Sequence, residues 1–234
     1  AFRALAEADG AMTARNLEGA RASAERALAI DSTSAMAHLL AGWMAFAAGD
    51  LDAARLHMDG MARFDWRLPE RARLAIRASD ELFFRQDPDA ALRTAGYWAE
   101  VYPEDPEAQQ TLAMVHLQGF NREEALPHLR ALLEIDPTDP DGTRWLAEAY
   151  AGTGQLDSAL AVRRRRAERI PSDMENRLGI ADILTHQGKL AGARDELEAA
   201  RLAAPRDIDV LEEVGRLDLR EGRVEEAARI AGEG

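Results

Sequence analysis

The stretch PEAQQTLAMVHLQGFNREEALPHLRALLEIDPTD, residues 106–139, and the one that follows it, PDGTRWLAEAYAGTGQLDSALAVRRRRAERIPSD, residues 140–173, decide the fold. Laid one on the other, they share a small residue at the eighth position (Ala113, Ala147), an alanine at the twentieth (Ala125, Ala159) and a proline at the thirty-second (Pro137, Pro171). Extended in both directions, the frame gives blocks beginning near residues 1, 35, 72, 106, 140, 174 and 208. The spacing is 34 residues, except for a 37-residue step into the third block, and the last block is truncated. A fixed period of this length marks a chain of repeated supersecondary units.

The twentieth position is Ala20, Ala54, Ala91, Ala125, Ala159, Ala193 and Ala227 without exception. The eighth is always small: Ala8, Gly42, Ser79, Ala113, Ala147, Ala181 and Gly215. Two helices that cross closely need a missing side chain at the crossing, and these positions supply one on each helix of a hairpin. Between them lies a turn rich in glycine, at Gly49, Gly154, Gly188 and Gly222, followed in several blocks by an N-cap residue: Asn16, Asp50, Asp87 and Asn121. Asn121 with Glu124 has capping-box spacing. Pro103, Pro137, Pro171 and Pro205 end the second helices.

Small residues at positions eight and twenty, a glycine turn between them and a proline at thirty-two resemble the tetratricopeptide repeat (TPR) pattern over the whole chain. The resemblance implies an all-α fold, a right-handed α-solenoid of antiparallel helix pairs forming a single domain over residues 1–234. In it, first helices line a concave face and second helices the convex side. A looser likeness, carried by RLPERARL at residues 67–74, FFRQDPDAAL at 83–92 and VYPEDPEA at 101–108, is to TPR regions attached to bacterial serine/threonine kinases, nucleotide cyclases and winged-helix regulators.

Composition narrows the function. The formal net charge of −13 opposes a nucleic-acid role, which needs a concentrated positive surface. No cysteine is present, which excludes a disulfide framework, a thiolate nucleophile and a thiolate metal site. Apolar runs are short and broken by charges, so no membrane span is expected. The first residues lack a signal pattern, and a cytoplasmic location is expected. The start at Ala1 rather than Met is read as a segment of something longer. His38, His57, His116, His128 and His186 are scattered, without metal-ligand spacing, and the glycines follow the repeat period rather than forming a phosphate loop. No enzyme activity, metal or cofactor is expected.

The family's ligand-facing stripe runs through positions two, five, nine and twelve of each first helix, a spacing that shares one helical face. Its apolar members are Leu5, Met12, Met36, Leu39, Trp43, Phe46, Ile76, Phe83, Met114 and Leu117. Towards the C-terminus it turns polar and net acidic, with Arg144, Glu148, Asp182 and Glu212. Met and aromatic residues suit an apolar anchor, and the acidic end suits basic residues. The expected partner is therefore a protein or peptide bearing both. Three roles stay open for the apolar stripe: partner binding, packing between neighbouring repeats, and docking against a domain outside the segment. Two further readings of the whole chain also stand, a regulatory or sensor segment of a larger signalling protein and a self-assembly module. Arg163–Arg166 forms the one basic cluster; its stems are expected to cover a seam between repeats while the guanidinium groups of Arg163 and Arg166 reach solvent or Glu168.

Overall fold

A computed structural model describes residues 16–231. Among the described residues there are thirteen α-helices and no strand. In the first compact unit, Ala1–Pro103, they are α1 (Leu17–Ile30), α2 (Ala35–Ala47), α3 (Leu51–Arg63), α4 (Glu70–Ser79) and α5 (Pro88–Val101). The second unit, Glu104–Gly234, holds α6 (Pro106–Gln118), α7 (Arg122–Ile135), α8 (Pro140–Gly152), α9 (Leu156–Arg169), α10 (Met174–His186), α11 (Leu190–Ala203), α12 (Ile208–Arg220) and α13 (Val224–Ala231). From the second block on, each block supplies a helix pair, and in the second unit every helix packs on its neighbours in sequence.

The turn inside each pair follows one geometry. Gly49, Gly154, Gly188 and Gly222 have φ between 72° and 79°, the left-handed region that only glycine enters without steric cost. The same place in the third and fourth blocks is held by Gln86 (φ 53°) and Phe120 (φ 59°). A hydrogen bond from the residue after the turn closes the helix end: Asp50 N–H donates to the Ala45 carbonyl at 2.9 Å, and Gln155 N–H to Tyr150 at 2.8 Å. Asn16, Asp50 and Asp87 cap the second helices as expected, accepting from Gly19, Ala53 and Ala90. Asn121 does not: its side chain makes no cap hydrogen bond. It follows a non-glycine left-handed turn and lies back along Gly119.

First helices have caps of their own. Ser34, Asp105, Asp139, Asp173 and Asp207 accept from backbone N–H groups in the following first turn. They satisfy donors that a helix start leaves unpaired.

Packing explains the invariant alanines. Ala91, Ala125, Ala159 and Ala193 are fully buried, as are their partners at position eight, Ala113, Ala147 and Ala181, to within 1%. Gly42 plays that part in the second block, where a Cβ would lie 2.8 Å from Met58 Sδ. The core of the second unit is one cluster running from Ala113 to Ile230, with Leu129, Leu146, Ile180, Leu197 and Leu217 at its centre. The first unit has a smaller core around Ala35, Met58, Met61 and Ile76.

The longer third step is absorbed at two places. A short 3-10 turn, Asp65–Arg67, lengthens the linker before α4, and a π turn, Asp80–Phe84, extends the helix beyond Ser79. The π turn is closed by Arg85 N–H donating to the Asp80 carbonyl, five residues back, at 2.9 Å. It rotates Phe83 and Phe84 toward α2, where they meet Trp43.

Candidate functional site

In the first unit the stripe is only partly open. Met36 (44% exposed) and Phe46 (39%) present apolar surface, whereas Ile76 (7%) belongs to the core and Leu39 packs beside it against Met58 and Met61. Trp43 is half-buried, edge-on to Phe46, Phe83 and Phe84 at centroid distances of 5.9, 5.7 and 5.1 Å. Phe46 and Phe84 close the group at 5.2 Å. These edge-to-face pairs stabilise one another and fix the rings. Leu5 and Met12 lie outside the described residues.

The π turn also buries two carboxylates, Asp80 and Glu81. Asp80 pairs with Arg85, and Glu81 with Arg77 at 2.9 Å while accepting from the Thr94 hydroxyl at 2.6 Å. Beside them opens a cavity of about 380 Å³ lined by Arg73, Arg77, Arg85 and Asp87 together with both carboxylates.

In the second unit Met114 and Leu117 are half-buried, Leu117 resting on the core. The polar stripe stays at the surface. Glu148, Asp182 and Glu212 have side chains 56–58% exposed. Arg144 is held among carboxylates, 2.8 Å from Asp141, 3.7 Å from Glu148 and 3.5 Å from Glu175, so it ties α8 to α10. The hydrogen bond it donates to Asp141, with smaller contributions from the charges of Glu148 and Glu175, raises its pKa. Burial among further carboxylates raises the pKa of Glu213 on α12. Residues 104–234 carry 27 Asp and Glu against 17 Lys and Arg, a net of −10, whereas residues 1–103 carry 15 against 12, a net of −3. Most of the chain's negative charge therefore belongs to the second unit.

The basic cluster differs from expectation. Arg163 and Arg166 are each only 8% exposed, and neither reaches Glu168. Arg166 pairs with Asp173 and donates to the Thr138 carbonyl, because its place on the last turns of α9 faces the loops before α8 and α10. The Arg163 guanidinium lies over Gly179 of α10, where any Cβ would collide with it. It enters the gap that this glycine leaves between helices.

Four of the five histidines, scattered in sequence, come together in two pairs. His38 and His57 have Nδ1 atoms 3.4 Å apart, and His38 Nε2 lies 3.1 Å from the Ser32 carbonyl. His116 and His128 stack at 5.6 Å. His57 and His128 occupy the same frame position, the twenty-third, whereas their partners His38 and His116 stand at the fourth and eleventh, so the period does not announce the pairs. Among the described residues no group of three or more His, Asp or Glu could hold a metal ion.

Burial, and then the charge of the partner imidazole, lowers the pKa of both His57 and His128 below 6.5. The unfolded chain then binds protons first on acidification, so the stability these neutral rings allow is complete above the ordinary value and is lost as pH falls below it. A lower melting temperature at pH 5.5 than at pH 7.5 is expected. The His57→Gln, His128→Gln double variant should lose part of that dependence in parallel melts; an unchanged slope would show that the pairs do not carry it.

Models of the tetratricopeptide repeat match residues 5–69, 76–140 and 120–171, more than half of the chain. The chain belongs to the tetratricopeptide repeat family. No curated protein sequence matches it. Solved structures that share the fold include a tetratricopeptide repeat protein from Parabacteroides merdae, 18% identical, covering 98% of this chain and 90% of that one with a TM-score of 0.66. PilW, a type IV pilus biogenesis factor, is 16% identical, covering 89% and 96%, with a TM-score of 0.75. PilF from Pseudomonas aeruginosa is 16% identical, covering 90% and 95%, with a TM-score of 0.66. At these identities the likeness is one of fold. No helix among the described residues is long and apolar enough to cross a membrane.

Proposed function

We propose that the chain is a protein-interaction scaffold whose first-helix faces hold segments of a partner polypeptide. The observation that carries this is the exposed carboxylate face of the second unit, where Glu148, Asp182 and Glu212 stand in successive repeats. A preformed face of this kind lowers the ordering cost of binding and favours a basic segment by charge complementarity. In the first unit Met36 and Phe46, backed by Trp43 and Phe83, offer the apolar anchor, with Met114 and Leu117 as its counterparts in the second. Rings already locked against each other give contact area at little further entropy cost. The site is one of recognition, and no catalytic step is assigned to it.

The test is affinity capture with three folded forms: the wild type, Trp43→Ala with Phe83→Ala, and Glu148→Gln with Glu175→Gln and Asp182→Asn. A partner held by the wild type and weakened at least about tenfold by both variant sets is expected, since removing central anchors costs about 2 kcal/mol or more. The same partner held equally by all three would place the interface elsewhere. Circular dichroism of each form keeps folding and binding apart.

A further inference from the structure

The acidic face of the second unit contains one group that acidity does not explain. Between α8, α9 and α10 lies a pocket of about 290 Å³ lined by Arg144, Arg163 and Arg166, with Thr143, Asp173 and Glu175. Two of its three guanidinium groups are spoken for: Arg144 by Asp141 and Glu175, Arg166 by Asp173 and the Thr138 carbonyl. Arg163 is only 8% exposed, and among the described residues its guanidinium has no hydrogen bond and no ion pair; its nitrogens keep their solvent contact through the pocket. Thr143, whose hydroxyl donates to the Asp139 carbonyl, makes no hydrogen bond with the Arg163 guanidinium.

A guanidinium that opens only on a pocket presents its donors there in a planar fork, a shape that a carboxylate matches. Glycine at position 179 keeps that fork in place, since any side chain there would displace it. Burial lowers the Arg163 pKa, against the partial opposition of the surrounding carboxylates Glu148, Glu175 and Asp182. None of the three lies within ion-pair distance, so the fork stays unoccupied by them.

We propose that Arg163 is the specificity-determining residue of the acidic face and that the pocket receives one aspartate or glutamate side chain of the partner, set between basic residues that lie on Glu148, Glu175 and Asp182. This rests on the reading of the acidic face as a binding surface. It makes the recognised segment one of alternating charge rather than a plain polycation, because a polycation would leave Arg163 unpaired and repelled.

The test uses fluorescence anisotropy with two synthetic peptides rich in Lys and Arg, both amidated at the C-terminus. One carries a single central glutamate and the other glutamine in its place. The wild type is expected to bind the glutamate peptide at least about tenfold more tightly, the scale of losing one partner of a buried charged hydrogen bond. Arg163→Met should abolish or reverse the preference, and Arg163→Lys, which keeps the charge without the fork, should reduce it. Melting curves check that both variants are folded; loss of an unpaired buried charge should not lower the melting temperature. Equal affinity of the two peptides for the wild type would overturn the role of Arg163 and leave the acidic face standing. If neither peptide bound, the acidic-face reading would fall, and this inference with it.

Discussion

Ala125→Trp is expected to lower the melting temperature of the second unit sharply. Ala125 is fully buried on α7, in the same core cluster as Ala113 of α6, where the absence of a side chain lets the two helices of the pair approach. A few extra methylenes in a well-packed core cost about 1–3 kcal/mol, and an indole exceeds that volume several times over. A loss of about 3 kcal/mol or more, roughly 6–12 °C for a unit of this size, should appear in a thermal melt followed by circular dichroism. The same substitution at the exposed Ala161 of α9 should change little. Equal melting of the two variants would contradict the helix crossing assigned to position twenty.

The second large effect is expected from Asp218→Ala. Asp218 is 3% exposed on α12, accepting from Arg194 of α11 at 2.7 Å and from Arg223 Nε at 2.9 Å. Glu221 engages the same two arginines, so four charged groups share one network across the last repeats. Removing its buried acceptor leaves two guanidinium groups short of a partner. The expected loss is about 3 kcal/mol in denaturant unfolding, and somewhat less for Asp218→Asn, which keeps an acceptor of the same shape. If the alanine variant were as stable as wild type, the arginines would be held by Glu221 alone.

Much of the hairpin chemistry was readable in advance because it is local. The glycines at 49, 154, 188 and 222 announce left-handed turns, since no other residue takes that conformation freely. The same rule hides the turns at Gln86 and Phe120, where the tertiary fold imposes the conformation on residues that resist it. The caps of the first helices at Asp105, Asp139, Asp173 and Asp207 were equally local, and the carboxylate just before each helix was the signal. The histidine pairs were not, because His38 and His57 come from different helices 19 residues apart.

The candidate site divides along the same line. A repeat frame assigns residues to a helix face, but whether a face residue stays open depends on what the next repeat places against it. Ile76 and Phe46 occupy the same stripe, yet one is in the core and the other is 39% exposed, because the π turn draws the third block's aromatic residues across α2.

By itself, then, the sequence determined the period, the paired helices, the small crossing residues and most of the turns, all of which follow from backbone hydrogen bonding and side-chain volume within one repeat. Only the tertiary structure decided that Trp43 is locked among three rings, that Asp80 and Glu81 are buried, and that Arg163 lies unpaired over Gly179. Each of these is set by side chains from another helix, and burial and pairing are properties of that meeting rather than of either strip of sequence alone.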